Sequence, residues 1–275
     1  MYVLGIDVGT TGTKAILLDE EGRVAGQGYQ GYPTLRKDGG IVEQDAEEWW
    51  LALQSAVHQA CDPKTAAGVK GISLSTQGGS SLLVDKNGRP LGNAITWMDT
   101  RALPQKQILE QEKGSEWFYS KTGWPLNASL DACKALWVVE DTPQLLAQAK
   151  WYISTLEFIN LKLTGAPVID PTTAAMRQLM DIHTHNWDDE IVNATRLNAN
   201  LLPPILPSGE CIGTLTANAA KVLGLPQTVQ VFNGAHDQYC CALGSGSVNP
   251  NDTFLGTGTA WALMSNTQKP LFTPA

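Results

Sequence analysis

Long apolar runs are missing from this 275-residue sequence. None approaches the roughly 20 residues of a membrane span. The N-terminus has no basic region followed by a long apolar stretch, so no leader is expected. Positive charge is in deficit: 19 Lys and Arg face 27 Asp and Glu, a net charge of −8. That argues against a nucleic-acid surface. Cysteine is scarce and odd in number, five residues without paired metal spacing. Cys240 and Cys241 are adjacent in an apolar segment. This usage reads as buried thiols in a reducing cytoplasm. The four histidines include the pair His183 and His185. They could share a strand face as metal ligands, but no third ligand accompanies them, and a surface turn is the commoner use.

What is present suffices for a large core. Hydrophobic residues make up 43% of the chain, enough for one big domain or two smaller ones. Nine tryptophans are many for this length. Most suit a core, but flat aromatic faces also line sugar sites.

The stretch "GIDVGTTGTKAILLDEEG", residues 5–22, joins strand to strand through a glycine turn. Val3, Leu4, Ile6 and Val8 read as one strand and Lys14–Leu18 as the next, with a third run at Arg23–Tyr29. The turn fits neither a Walker loop nor a dinucleotide fingerprint. Its backbone N–H groups can still converge on an anion. Thr10, Thr11 and Thr13 add hydroxyls, and Gly9 and Gly12 permit the tight backbone. Asp7 ends the first strand beside it. A carboxylate next to phosphate calls for an intervening cation such as Mg²⁺. An ordinary glycine hairpin with a satisfied aspartate is the alternative.

Asp45 is placed to cap a helix, with Glu48 completing a capping box. Ala46, Trp49, Trp50, Leu53, Val57 and Ala60 then recur at helical spacing. Extended runs are expected at Gly71–Ser75, Ser81–Asp85, Ala94–Trp97 and Val229–Phe232. Helices are expected at Leu103–Lys113, Ala132–Glu140, Pro143–Ala149, Ile153–Leu163, Trp187–Thr195 and Ala217–Leu223. Gly165 suits a C-cap. Antiparallel strands come first, then strand and helix alternate. The fold class expected is α/β with a mixed sheet.

A second Gly-Thr turn, Gly256–Thr259, lies in "DTFLGTGTAWAL". It echoes the first, as two halves gripping one polyphosphate would, or it is an unrelated β-turn. Before it runs "NGAHDQYCCALGSG", where Asp237 stands between a strand and a helix, Gln238–Leu243. Phosphoryl transfer to an alcohol needs a carboxylate to take the hydroxyl proton. A plain N-cap is the competing use.

Together these stretches resemble the FGGY family of carbohydrate kinases, within the actin-like, ribonuclease H-like ATPases. "GGIVEQDAEEWW", "GISLSTQGGSSLLVDKNGRPLGNAITWMDTRA" and "KLTG" complete the match, in family order through essentially the whole chain. The resemblance implies ATP and Mg²⁺ as cofactors and a sugar or polyol as substrate, with no nucleic acid or membrane partner. A cytoplasmic homodimer is compatible with it. Thr10, Thr11, Gly12, Thr13 and Lys14 match the first phosphate motif, and Gly256, Thr257 and Gly258 the second. Asp7 matches the Mg²⁺ carboxylate, through water, and Asp237 the general base. Gln77, Gly78, Gly79, Trp97, Asp99, Arg101 and Gln238 fall on the substrate side.

Family members that use glycerol carry Arg-Glu where this chain has Gly78-Gly79, and Tyr where it has Ser129. The missing side chains are expected to leave room for a longer sugar, as in xylulose and gluconate kinases. Lys134 and Trp137 fit a family signature, whereas Asp131 and Ala135 depart from it. Family chains are much longer, and their second domain supplies the adenine pocket. Residues 1–248 are expected to be the substrate domain and 249–275 the start of the nucleotide domain, in a truncated or incomplete form. Alone the chain is expected to bind sugar, bind ATP poorly and lack turnover. A non-enzymatic actin-like ATPase or a sugar-binding regulator is the alternative.

Overall fold

The computed structural model describes residues 1–257 and 261–272. Alternation along the first strands decides where the core begins. β1 (Tyr2–Val8) buries Leu4, Ile6 and Val8 and turns Val3 outward. β2 (Gly12–Leu18) buries Ala15 and Leu17 and turns Ile16 outward. The two pair antiparallel across the glycine turn, and β3 (Val24–Gly31) extends the meander. Two short strands, β4 (Leu35–Lys37) and β5 (Ile41–Gln44), lead to helix α1 (Ala46–Ala60).

Helix α1 lies back across β2 and β3. A Cβ at Gly26 or Gly28 would overlap the carbonyl oxygen of Ala60 or Ala56. Glycine is therefore what lets the helix sit directly on the strand. Asp45 caps α1 through the Glu47 amide, a single bond in place of the capping box expected with Glu48.

α2 (Pro63–Ala66) leads into β6 (Val69–Thr76), which returns parallel to β1. β7 (Ser81–Val84) and β8 (Ala94–Ile95) follow. The helices α3 (Leu103–Lys113), α4 (Ser115–Thr122), α5 (Asp131–Asp141) and α6 (Pro143–Leu146) come next. β9 (Trp151–Ser154) joins β4, β5, β7 and β8 in a five-stranded sheet. After it come α7 (Thr155–Thr164), α8 (Pro171–Met176), the short pair β10 (Met180–Asp181) and β11 (Asn186–Trp187), and α9 (Asp189–Ala194). β12 (Cys211–Thr214), α10 (Ala217–Leu223), β13 (Gln230–His236) and α11 (Asp237–Gly244) close the body. A separate hairpin, β14 (Thr253–Thr257) and β15 (Trp261–Ser265), follows.

The main sheet has six strands in the order β12-β13-β6-β1-β2-β3. Its centre, β13-β6-β1, is parallel and its flanks are antiparallel, the mixed α/β sheet expected. One core packs α1, α7 and α10 against this sheet, around Leu4, Ile6, Trp49, Leu53, Ile72 and Phe158. A second gathers Leu83, Phe118, Leu136 and Tyr152 beside the five-stranded sheet.

Some expectations need correcting. The helix placed at Ile153–Leu163 begins as a strand: Tyr152 and Ile153 pair with Leu83 and Leu82, and the helix starts after Ser154, in a capping box with Glu157. Asn233, Gly234 and Ala235 continue β13 instead of ending it. Of the five cysteines, all free, Cys133 is buried but Cys211 and Cys241 are exposed. His183 and His185 sit on the turn between β10 and β11, and the described residues hold no cluster of three metal-ligating side chains. No helix among them is long and apolar enough to cross a membrane. Gly165 does cap α7 in the left-handed region.

Candidate active site

Three adjacent parallel strands deliver their C-terminal ends to one place. Asp7 on β1 and Ala235 on β13 both lie opposite Ser75 of β6, and Val8 and His236 lie opposite Thr76. In an open α/β sheet such strand ends are where ligands bind. Asp7 and Asp237 therefore arrive together, close enough for the Asp237 charge to act on the Asp7 carboxyl.

Asp7 accepts a hydrogen bond from Ser75 Oγ at 2.8 Å. Its other oxygen faces the glycine turn, 3.6 Å from where a Cβ on Gly9 would stand. Burial raises its pKa, and the negative charge of Asp237 raises it further, against Ser75 and Lys14. Lys14 is its cross-strand partner. The turn itself is braced from beneath. Tyr32 Oη donates to the Gly9 carbonyl, Gln44 Nε2 to the Thr10 carbonyl at 2.8 Å, and Trp97 Nε1 to Thr10 Oγ1 at 3.1 Å. Thr11 and Lys14 are exposed, whereas Gly12 and Thr13 are buried. Thr13, expected among the phosphate donors, thus turns its hydroxyl inward, because alternation on β2 puts it on the core side.

A cation fits beside Asp7. Two carboxyl groups whose pKa values are raised by burial lie within electrostatic reach of one another, and a divalent ion relieves both. Asp7 would hold such an ion as a single carboxylate, a donor set that suits Mg²⁺.

Asp237 is the first residue of α11, and the N-cap is His236. Asp237 thus stands one residue inside the N-cap, with its carboxylate accepting the Gln238 N–H. A helix N-terminus favours an ionised carboxylate, yet desolvation wins here and raises the pKa. The side chain remains 28% exposed, open on one side. Gln238 lies beside the second hairpin: a Cβ on Gly256 would stand 2.5 Å from its Oε1, which is buried without a partner in the structure. Gly256 and Thr257 end β14. Gly258 and Thr259 lie outside the described residues.

Residues 2–244 match the N-terminal domain of the FGGY family of carbohydrate kinases. The chain belongs to the FGGY family. It is 30% identical over 266 residues to a xylulose kinase from Bacillus subtilis, covering 96% of this chain and 53% of that protein. A gluconokinase from Bacillus subtilis is 28% identical over 269 residues, covering 98% and 52%. The crystal structure of gluconate kinase from Lactobacillus acidophilus superposes with a TM-score of 0.89 at 28% identity, over 95% of this chain and 53% of that one. The chain thus spans about half the length of the curated relatives it matches. The fold is the actin-like ATPase fold of these FGGY kinases.

Within that FGGY domain the loop expected to face substrate, residues 77–79, proves to be closely packed. Gln77 is 1% exposed; its amide donates to Gln44 Oε1 and its backbone N–H to the Val8 carbonyl. A Cβ on Gly78 would strike the His236 ring, 2.6 Å from Nε2. A Cβ on Gly79, with φ +67, would stand 3.1 Å from Leu130 and 3.2 Å from Trp97. The expectation that Gly78 and Gly79 leave open room is therefore corrected: His236, Leu130 and Trp97 fill it.

Asp99 is 1% exposed. It accepts the Val42 N–H at 2.6 Å and bonds of 2.7–3.0 Å from the Arg101 guanidinium. Arg101 also reaches Glu43 at 2.8 Å and stacks on Trp137. These two substrate candidates grip each other and the second sheet. Trp97 is half-buried and spans from the loop to the glycine turn. Lys134, noticed only as a signature residue, turns out to hold the loop: its Nζ donates to the Gly79 and Thr96 carbonyls, both at 2.7 Å. Gln44 and His236 carried no sequence signal beyond their neighbourhood, because their roles depend on partners far along the chain.

Proposed function

We propose that this chain is the sugar-binding half of an ATP-dependent carbohydrate kinase. The observation that carries the reading is the convergence of Asp7, near the end of β1, and Asp237, just past the end of β13, on either side of β6, with Asp7 facing the Gly-Thr turn. Asp237 takes the proton from the attacking sugar hydroxyl. Burial raises its basicity, which suits a general base. The turn at Gly9–Gly12, with Thr10, Thr11 and Lys14, holds phosphate oxygens, and Asp7 holds Mg²⁺ through water. When bound, Mg²⁺ offsets charge on the transferring phosphoryl group. Gln77–Gly79, Trp97 and Gln238 shape the sugar site, and Asp99 and Arg101 support it.

The chemistry suits a pentulose, hexulose, sugar acid or polyol, in keeping with the xylulose and gluconate kinases among the relatives. Residues 1–248 act as the substrate domain, and 249–275, with Gly256–Gly258, belong to the nucleotide side. The setting is a cytoplasmic one, compatible with a homodimer.

D-Xylulose, D-gluconate and xylitol tested by thermal shift on the 275-residue chain should yield at least one upward change, by mass action. No shift with any ketose, sugar acid or polyol at 100 mM refutes sugar binding. In a kinase of the relatives' length, Asp237→Asn should fold normally and lose about 10²–10⁴-fold in kcat. Undiminished turnover would refute the assignment of the base.

A further inference from the structure

We propose that His236 is a positioning residue for Asp237. Its neutral imidazole orients the carboxylate through Nε2–H, and Gly78 of the substrate loop seats the imidazole. The inference rests on the reading of Asp237 as the base.

His236 is the last residue of β13 and is 7% exposed. Its Nε2 lies 3.3 Å from Asp237 Oδ1. The same edge of the ring rests on Gly78, where any Cβ would collide with it, and Met176 flanks the contact. The backbone is fixed as well: His236 N–H donates to Thr172 Oγ1 at 3.0 Å, and that hydroxyl donates to Asp170 at 2.6 Å. Tyr239 packs edge-on against the ring at 5.8 Å. Neither the ring nor its strand has freedom to turn away.

The proton's place follows from what each nitrogen meets. Nδ1 is buried and finds no partner in the structure. A buried N–H without an acceptor is rarer and costlier than an unused lone pair. Nε2 faces a carboxylate. The tautomer is therefore Nε2–H, with the lone pair on Nδ1.

Charge matters as much as direction. Burial pushes the imidazole down to about 4, against the pull of Asp170. The ring is neutral where enzymes work. An imidazolium at this distance would pair with Asp237 and weaken it as a base. A neutral donor aligns the carboxylate and leaves its basicity to its surroundings, where burial raises its pKa. The separation exceeds that of a full-strength N–H···O bond. Such contacts are commonly long before substrate binds.

A consequence follows for selectivity. A sugar bound beside the buried loop 77–79 would act on the imidazole through Gly78, the residue in contact with the ring. Substrate fit and base alignment then share one contact.

The test begins with the 275-residue chain carrying ¹⁵N-labelled histidine. The imidazole signals of His236 should report the neutral Nε2–H tautomer at pH 7, and Asp237→Ala should shift its Nε2 resonance. An Nδ1–H tautomer, a protonated ring or an unmoved resonance overturns the proposal. In a kinase of the relatives' length, His236→Phe keeps shape without the donor. It should lose about tenfold in kcat with sugar KM unchanged. His236→Gln returns an N–H near Nε2 and should recover most of that loss. A fall in both variants alike means a structural role only and overturns the proposal. If His236→Phe does not fold, the wild-type tautomer and the Asp237→Ala shift still decide. Normal turnover by Asp237→Asn would instead refute the reading of Asp237 as the base, on which the proposal rests, whatever His236 does.

Discussion

Lys134→Met is the substitution whose outcome the geometry constrains most. Lys134 is fully buried on α5. Its Nζ donates to the carbonyls of Gly79 and Thr96 at 2.7 Å and stands 3.4 Å from that of Ile95. Burial pushes its pKa down to about 8, against the pull of Asp131 and Asp99. Methionine fills the same volume without the donor. Losing two charge-assisted bonds and stranding their carbonyls costs about 5–7 kcal/mol. Relief of the buried charge, about 2.5 pKa units, returns about 3 kcal/mol. The net loss is about 2–4 kcal/mol, a Tm fall of roughly 5–15 °C for a chain of this size.

The pH dependence has a definite sign. A lowered folded-state pKa means that the unfolded chain binds more protons between about 8 and the ordinary lysine value of 10.5. Wild type therefore gains stability as pH rises through that window, and the variant gains none from this site. The gap between them should be smallest below pH 8 and should widen towards pH 10. Urea unfolding at pH 7, 8.5 and 10 measures it. A gap below about 1 kcal/mol at pH 7, or one that narrows with pH, refutes Lys134 as the charged clasp of the substrate loop.

Two further outcomes follow from the site. Trp97→Phe removes the N–H to Thr10 and should abolish most of the sugar-dependent change in tryptophan emission; an unaltered change would place Trp97 outside the sugar site. Asp7→Ala, in a kinase of the relatives' length, should abolish Mg²⁺-dependent turnover while leaving calorimetric sugar affinity on the 275-residue chain within about twofold; collapse of sugar binding would show that the two sites are not separable there.

Local patterns were legible and long-range contacts were not. The strand–glycine–strand start, α3 at Leu103–Lys113 and α10 at Ala217–Leu223 all follow from spacing within a dozen residues. β9 escaped because Tyr152 and Ile153 run without a break into the apolar face of α7, and only pairing with β7 marks them as strand. Asp7 and Asp237 were visible because motif residues flank them. His236 was hidden, because its partner Gly78 is 158 residues away along a chain that shows only a missing side chain at that point. A glycine in a binding loop reads as space. Here it is a seat already taken.

The substrate loop and the glycine turn also prove to be one bonded unit. Gln77 ties its backbone to Val8 at 2.9 Å and its amide to Gln44, and Gln44 reaches on to Thr10. Trp49 Nε1 donates to the same Gln44 oxygen, anchoring the link in the core. Trp97 spans the same gap from the other side. A buried network of this kind resists partial movement, since freeing one member strands another. Displacing the loop therefore strains the turn, and a ligand on one biases the other.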